Sequence, residues 1–151
     1  MTSFACEPEE MIQRVIDVQQ QQFRVLRTLA EGGNGHIFLL EDRNGRRYAM
    51  KRVVVSMHQD PSVMKSAQNE VKIMKQLSSC NNVLSVVAYE VKRAGALYIL
   101  LTVMDECKGT LLDFMNKHSL GIPEETLYKM IYDTCRGLYQ MHSANPPIAH
   151  R

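Results

Sequence analysis

Long apolar runs, an excess of charge of one sign and paired cysteines are all scarce in this sequence, and each scarcity excludes a class of protein. The longest apolar stretch, Leu97 to Val103, falls far short of the about 20 residues a membrane-crossing helix needs. A net charge of +2 over 151 residues is too small to imply a nucleic-acid or membrane partner. No basic stripe with interleaved aromatics stands out either, which argues against nucleic-acid binding. The four cysteines, Cys6, Cys80, Cys107 and Cys135, form no C-x-x-C pair and are spaced for neither a zinc site nor a disulfide framework. Reduced thiols in a reducing compartment are the expectation. The first residues lack a charged-then-apolar signal pattern, and Thr2 rules out a myristoylation start. A cytoplasmic or nuclear protein is therefore expected, with cytoplasmic the reading adopted. No internal repeat is present.

What is there suits one ordinary globular domain. The content is 45% hydrophobic and 23% charged. A chain of this length buries roughly 70% of its unfolded surface, enough for a sizeable core.

Residues 1–22 read as a leader. Within it Arg14-Val15-Ile16-Asp17-Val18 suits a short extra strand or part of a helix, and Gln19 to Gln22 is a brief low-complexity tract. From Phe23 the texture changes. Phe23 to Leu29 alternates apolar and polar residues and predicts a strand. Glu31-Gly32-Gly33-Asn34-Gly35 breaks it, and His36 to Leu40 predicts a second strand. Asn44-Gly45 signals a hairpin because both residues tolerate positive φ. Arg47 to Val55, rich in β-branched residues, predicts the third strand of an antiparallel meander.

A helix is expected next, capped by Asp60 with Pro61 in its first position. Val63, Ala67, Val71, Met74 and Leu77 give it one apolar face. Val83 to Tyr89 and Leu97 to Met104 predict two more strands, with Gly95 in the turn between them. Helices over Thr110 to Lys117 and Glu124 to His142 follow, and Asn145-Pro146-Pro147 ends the last. The order is three strands, a helix, two strands, then helices. That is α+β, not the alternation of a parallel sheet.

Three features carry chemistry. Gly32, Gly33 and Gly35 lie between two strands, where bare backbone amides can close over phosphates or simply make a turn. A dinucleotide fingerprint would place a helix after them, and a strand and hairpin follow instead. Lys51 shares a strand face with the small Ala49. It reads either as a lysine lying along a sheet edge or as a charge held over nucleotide phosphates beside room for a flat base. Glu70 borders the apolar helix face, where it is either solvated or paired with a cation that it positions.

Taken in order, Leu29-Ala30-Glu31-Gly32-Gly33-Asn34-Gly35-His36-Ile37, then Tyr48-Ala49-Met50-Lys51, then Glu70, resemble the amino-terminal lobe of a eukaryotic protein kinase. Pro147-Ile148-Ala149-His150-Arg151 resembles the approach to the kinase H-R-D motif. The resemblance runs from about Phe23 to Arg151. The wording of residues 29–33, of Met104-Asp105-Glu106-Cys107, of Asp133-Thr134-Cys135-Arg136 and of Pro146-Pro147-Ile148 resembles the Numb-associated serine/threonine kinases, which include the adaptor-associated and cyclin-G-associated enzymes.

The resemblance implies a five-stranded antiparallel sheet with one helix, an amino-terminal lobe and hinge over residues 23–107, and the start of a helical lobe over 108–151. It implies ATP as cofactor, with Leu29, Ala30, Gly32, Gly33 and Gly35 forming the phosphate loop. Ile37 and Ala49 would lie over adenine. Lys51 would contact the α- and β-phosphates, held by Glu70. Met104 would be the gatekeeper, and the backbone of Asp105 and Cys107 would meet the adenine edge. Met74 and Val86 would join a column linking the lobes, with His150 at its base. His150 and Arg151 would open the catalytic loop.

Two departures are Ala30 in place of the first loop glycine and Asn34 at the loop tip, where the group often has an aromatic residue. The catalytic aspartate and the Mg2+ ligands of phosphoryl transfer would lie past Arg151, so no metal ligand is expected in this chain and the 151 residues alone are expected to be inactive. Serine/threonine protein substrates, and by resemblance endocytic adaptor or actin-regulatory proteins, are the implied partners. A non-catalytic pseudokinase or truncated scaffold remains the alternative, and a different nucleotide-binding enzyme a second one.

Overall fold

The computed structural model describes residues 4–32, 35–58, 61–118 and 121–149. A 3-10 turn at Pro8–Met11 opens the chain, followed by β1 (Val15–Val18), β2 (Gln21–Gly32), β3 (Gly35–Asp42) and β4 (Arg47–Ser56). Then come α1 (Pro61–Gln76), β5 (Val86–Ala94), β6 (Leu97–Asp105), α2 (Leu111–Lys117) and α3 (Glu124–His142). One antiparallel sheet runs in the order β1-β2-β3-β4-β6-β5. The class is α+β, as expected.

Of the two readings open for residues 14–18, the strand is the one that forms, and it brings the five-stranded sheet to six. Gln19 and Gln20 form its two-residue turn onto β2, both at positive φ (53° and 65°), so half of the glutamine tract is a turn and half a strand. Glutamine rarely takes that conformation, and one local and one long-range hydrogen bond offset the strain. The Gln20 N–H donates to Asp17 Oδ1 (3.0 Å) and the Gln19 N–H to Glu90 Oε2 (2.9 Å).

One hydrophobic cluster holds the sheet and its leader together. Phe4, Met11, Ile16 and Val18 pack on Phe23, Val25, Phe38, Leu40, Tyr48, Met50, Ala88, Ile99, Leu101 and Val103. The alternation of β4 explains why: Tyr48 and Met50 point into this cluster, and Ala49 and Lys51 point to the other face. β6 lies between β4 and β5, and Ile99 to Val103 are all buried, so side chains on both faces of this strand are covered. Phe23 and Tyr48 meet edge to face at 5.4 Å. Each such fully buried apolar side chain contributes roughly 1.5–3 kcal/mol.

Several boundaries differ from the expected ones. β5 begins at Val86, not Val83, and continues through Ala94 because the register with β6 carries it to a two-residue loop at Gly95 and Ala96. The Asn44-Gly45 hairpin is a four-residue loop, 43–46, in which only Gly45 has positive φ (78°). Asp42 explains the choice, because its Oδ1 accepts from the N–H groups of Asn44 (2.8 Å) and Arg46 (2.9 Å). Those bonds, the one from Arg46 first, hold its carboxyl below the usual aspartate range. Val71 in α1 and Leu77 just past its end are buried but Val63 is 43% exposed, so the helix seats on β4 and β5 by its second half. Asp60, the expected cap, lies outside the described residues.

The two carboxyl-terminal helices begin where the sequence places them. Thr110 and Asp113 form a reciprocal capping box on α2. In α3 the foreseen stripe is largely bare: Leu127, Ile131 and Leu138 are exposed, and Met130 and Met141 half-buried. Gly137 is the buried residue of this helix, set against the Asn82 carbonyl.

Candidate active site

β4 and α1 bring Lys51 and Glu70 together. Lys51 Nζ donates to both Glu70 carboxylate oxygens at 2.8 Å. The lysine side chain is 22% exposed and the glutamate 50%. A pair this open contributes only about 0–1 kcal/mol to stability. Its consequence is geometric. An ammonium has three donors, and Glu70 takes two, which leaves one N–H aimed by the other bonds.

Register fixes the surroundings of that pair. Lys51 stands opposite Ile37 on β3 and Thr102 on β6, and Ala49 stands opposite Leu39 and Met104. Cross-strand partners share a face, so Ile37, Leu39, Ala49, Lys51, Thr102 and Met104 form one surface. Met104 is also opposite Val86 of β5. Leu39 and Thr102 are buried members that the sequence analysis did not single out. The signal for them was the β3–β4–β6 pairing, which alternation within one strand does not supply.

The glycine hairpin lies beside this surface. Gly32 pairs with Gly35, Glu31 with His36 and Ala30 with Ile37. Leu29 falls at a register shift of β2 and is 37% exposed. His36 Nε2 lies 3.1 Å from Glu31 Oε1, tying the two arms. Gly35 has φ +112°, and a Cβ there would collide with the Arg52 main-chain carbonyl. Gly35→Ala is therefore expected to lower stability by about 1–3 kcal/mol, since a backbone atom cannot swing aside. Thermal or denaturant unfolding checks this; an unchanged midpoint would show that the hairpin has another route past Arg52.

At the far end of β6, Asp105 accepts from Arg46 Nη2 at 2.8 Å, and the Arg46 guanidinium lies 5.2 Å from the Tyr48 ring centre. Sequence reasoning missed this contact because 59 residues separate the partners. Cys107 is exposed. Met74 is half-buried on α1, the helix that carries Glu70. Gly33, Asn34, His150 and Arg151 lie outside the described residues. Two concavities lie away from Lys51. One of about 370 Å³ is lined by residues of β1, β2, β3 and the β3–β4 loop, including Arg24 and Arg43. The other, about 620 Å³, lies between residues 78–85 and Asp105 with Cys107. Among the described residues no three His, Cys, Asp or Glu side chains converge on a metal site. No described helix is long and apolar enough to cross a membrane.

Comparison with known proteins agrees with this arrangement. The protein kinase domain profile matches residues 23–151, and the chain belongs to that family. Two relatives in Dictyostelium discoideum, each named a probable serine/threonine-protein kinase, are 28% and 29% identical over 91% of this chain. A serine/threonine-protein kinase of Schizosaccharomyces pombe is 28% identical over 90% of it. The chain spans only 12% to 18% of the length of these relatives.

Proposed function

We propose that this chain supplies the ATP-binding lobe of a serine/threonine protein kinase, whose whole protein moves the γ-phosphate of ATP to protein hydroxyls with Mg2+. The observation that carries the reading is the Lys51 ammonium, gripped at 2.8 Å by both oxygens of Glu70 on the face shared with Ala49 and Met104. In this reading the remaining N–H of Lys51 meets phosphate, Ile37 and Ala49 cover the base, and the main chain at Asp105 and Cys107 binds its edge. Leu29, Ala30, Gly32, Gly33 and Gly35 close over the phosphates. Residues 23–107 are the lobe and hinge, residues 108–151 begin the helical lobe, and His150 and Arg151 open the catalytic loop.

The magnesium ligands belong to residues past Arg151 in this reading. Membership of the Numb-associated group, a cytoplasmic setting and endocytic adaptor or actin-regulatory substrates rest on the wording of residues 29–33, 104–107 and 133–136. Serine/threonine specificity is supported by the names of the relatives.

Titrating the chain with a fluorescent ATP analogue tests the reading. Saturable binding, competed by ATP and weakened at least tenfold by Lys51→Met, is the expected result. A chain with native sheet protection that binds no nucleotide would sink it.

A further inference from the structure

Arg52 follows Lys51 on β4 and faces the opposite way, into the leader. It is 4% exposed. Arginine is almost never so buried unless paired, because a charge removed from water must be compensated. Among the described residues no carboxylate forms an ion pair with it. Its guanidinium donates instead to main-chain carbonyls: to Phe4 O from Nε (3.1 Å) and Nη2 (2.9 Å), and to Cys6 O from Nη2 (2.7 Å).

Both ends of this link are anchored. On the leader side, the Phe4 ring is buried and Lys92 Nζ lies 4.3 Å from its centre. On the strand side, the Arg52 carbonyl occupies the space that a side chain at Gly35 would need, and His36 stands opposite Arg52 in register. His36 in turn holds Glu31 of the glycine hairpin. A well-packed apolar residue would fill the same volume without the cost of desolvating a charge, so packing alone does not account for an arginine here. These three hydrogen bonds tie β4 to the leader at the residue next to Lys51, which projects from the other side.

We propose that Arg52 is a positioning residue for the nucleotide site, and that it makes the amino-terminal segment part of that site's framework. The role rests on the ATP-binding reading above. It lies outside the pattern of glycines, lysine and glutamate that carries that reading, and it is exercised through Lys51 and Gly35 rather than by contact with nucleotide.

Affinity for the fluorescent ATP analogue and amide hydrogen exchange, both measured well below the melting temperature, provide the test. The proteins are the wild-type chain, Arg52→Met, Arg52→Lys, a deletion of residues 1–7, and that deletion combined with Arg52→Met. Arg52→Met is expected to weaken binding roughly tenfold, the scale of one lost charge-assisted hydrogen bond, and to speed exchange at Gly35 to Ile37 and at Lys51. Arg52→Lys should recover part of the affinity. The deletion, which also takes Phe4 from the core, should weaken binding at least as much as Arg52→Met, and adding Arg52→Met to it should cost no further affinity, since the link is already gone.

A lower melting temperature with unchanged affinity would reduce Arg52 to a structural role and overturn the proposal. Additive losses in the combined variant would overturn the connection to residues 4–6. Should Arg52→Met fail to fold, Arg52→Lys and the deletion give the same decision. Wild-type protein that binds no nucleotide would overturn the ATP-binding reading and this role together, whereas wild-type binding that the variants leave unaltered would overturn this role alone.

Discussion

Lys51→Met, in a chain completed with a carboxyl-terminal lobe, is expected to lose about 10²–10³-fold in phosphotransfer with its melting midpoint nearly unchanged. Phosphoryl transfer asks little covalent chemistry of the protein and depends on position and charge. Methionine keeps most of the length and apolar stem of lysine, so packing on Ile37 and Thr102 survives. What disappears is the ammonium held by Glu70 at 2.8 Å. Because that pair is half open to solvent, its removal costs little stability, and activity and stability should separate cleanly. Initial rates with a generic protein substrate, read beside thermal melts, decide the matter. Near-normal turnover would show that another cation meets the phosphates.

The second large effect concerns the 151 residues by themselves. They are expected to give no phosphotransfer above background and to melt in two stages. The first expectation follows from the catalytic base and metal ligands, which the kinase reading places past Arg151. The second follows from where the core lies. The cluster runs from Phe4 to Val103 and includes nothing from α2 or α3. Leu111, Leu112 and Met115 on α2, with Leu127, Ile131 and Leu138 on α3, are exposed. Isolated helices of 7 and 19 residues gain little in water without a packed face. Hydrogen exchange should find the β2, β3, β4 and β6 amides protected while those of α2 and α3 exchange quickly, and the bare apolar faces should promote association. One sharp melt of a monomer, with α3 as protected as β6, would refute this, as would transfer from ATP to substrate.

How much of this was legible beforehand depended on punctuation. α3 ends before Asn145-Pro146-Pro147, and that limit came straight from those residues. Lys51 and Glu70 were placed by periodicity within one strand and one helix, and their meeting required only that the helix lie on the Ala49 face. The leader was legible only in part: residues 14–18 suited a strand or a helix, and Gln19-Gln20, which turns the strand that forms there, carries no turn signal. β5 was displaced because Val83 and Leu84 look like strand, whereas the strand itself runs on through Glu90, Lys92 and Arg93. Arg52 went unnoticed because its partners are main-chain oxygens 46 and 48 positions away, and main-chain acceptors leave no mark in a sequence.

The curl of the sheet brings β1 and β5, its two outer strands, to one another. Lys92 Nζ reaches the Asp17 carbonyl at 2.8 Å, and the Tyr89 N–H donates to Gln19 Oε1 at 3.2 Å. An open sheet offers a foreign strand a row of unpaired amides and carbonyls on which to add, and natural sheets guard against it with lysines and short outer strands. Here four residues of β1 and the side chains of Gln19, Glu90 and Lys92 stand where such a strand would dock. The lobe thus carries its own protection against strand-by-strand polymerisation, a hazard for any β-rich segment that emerges from the ribosome before the helices that follow it.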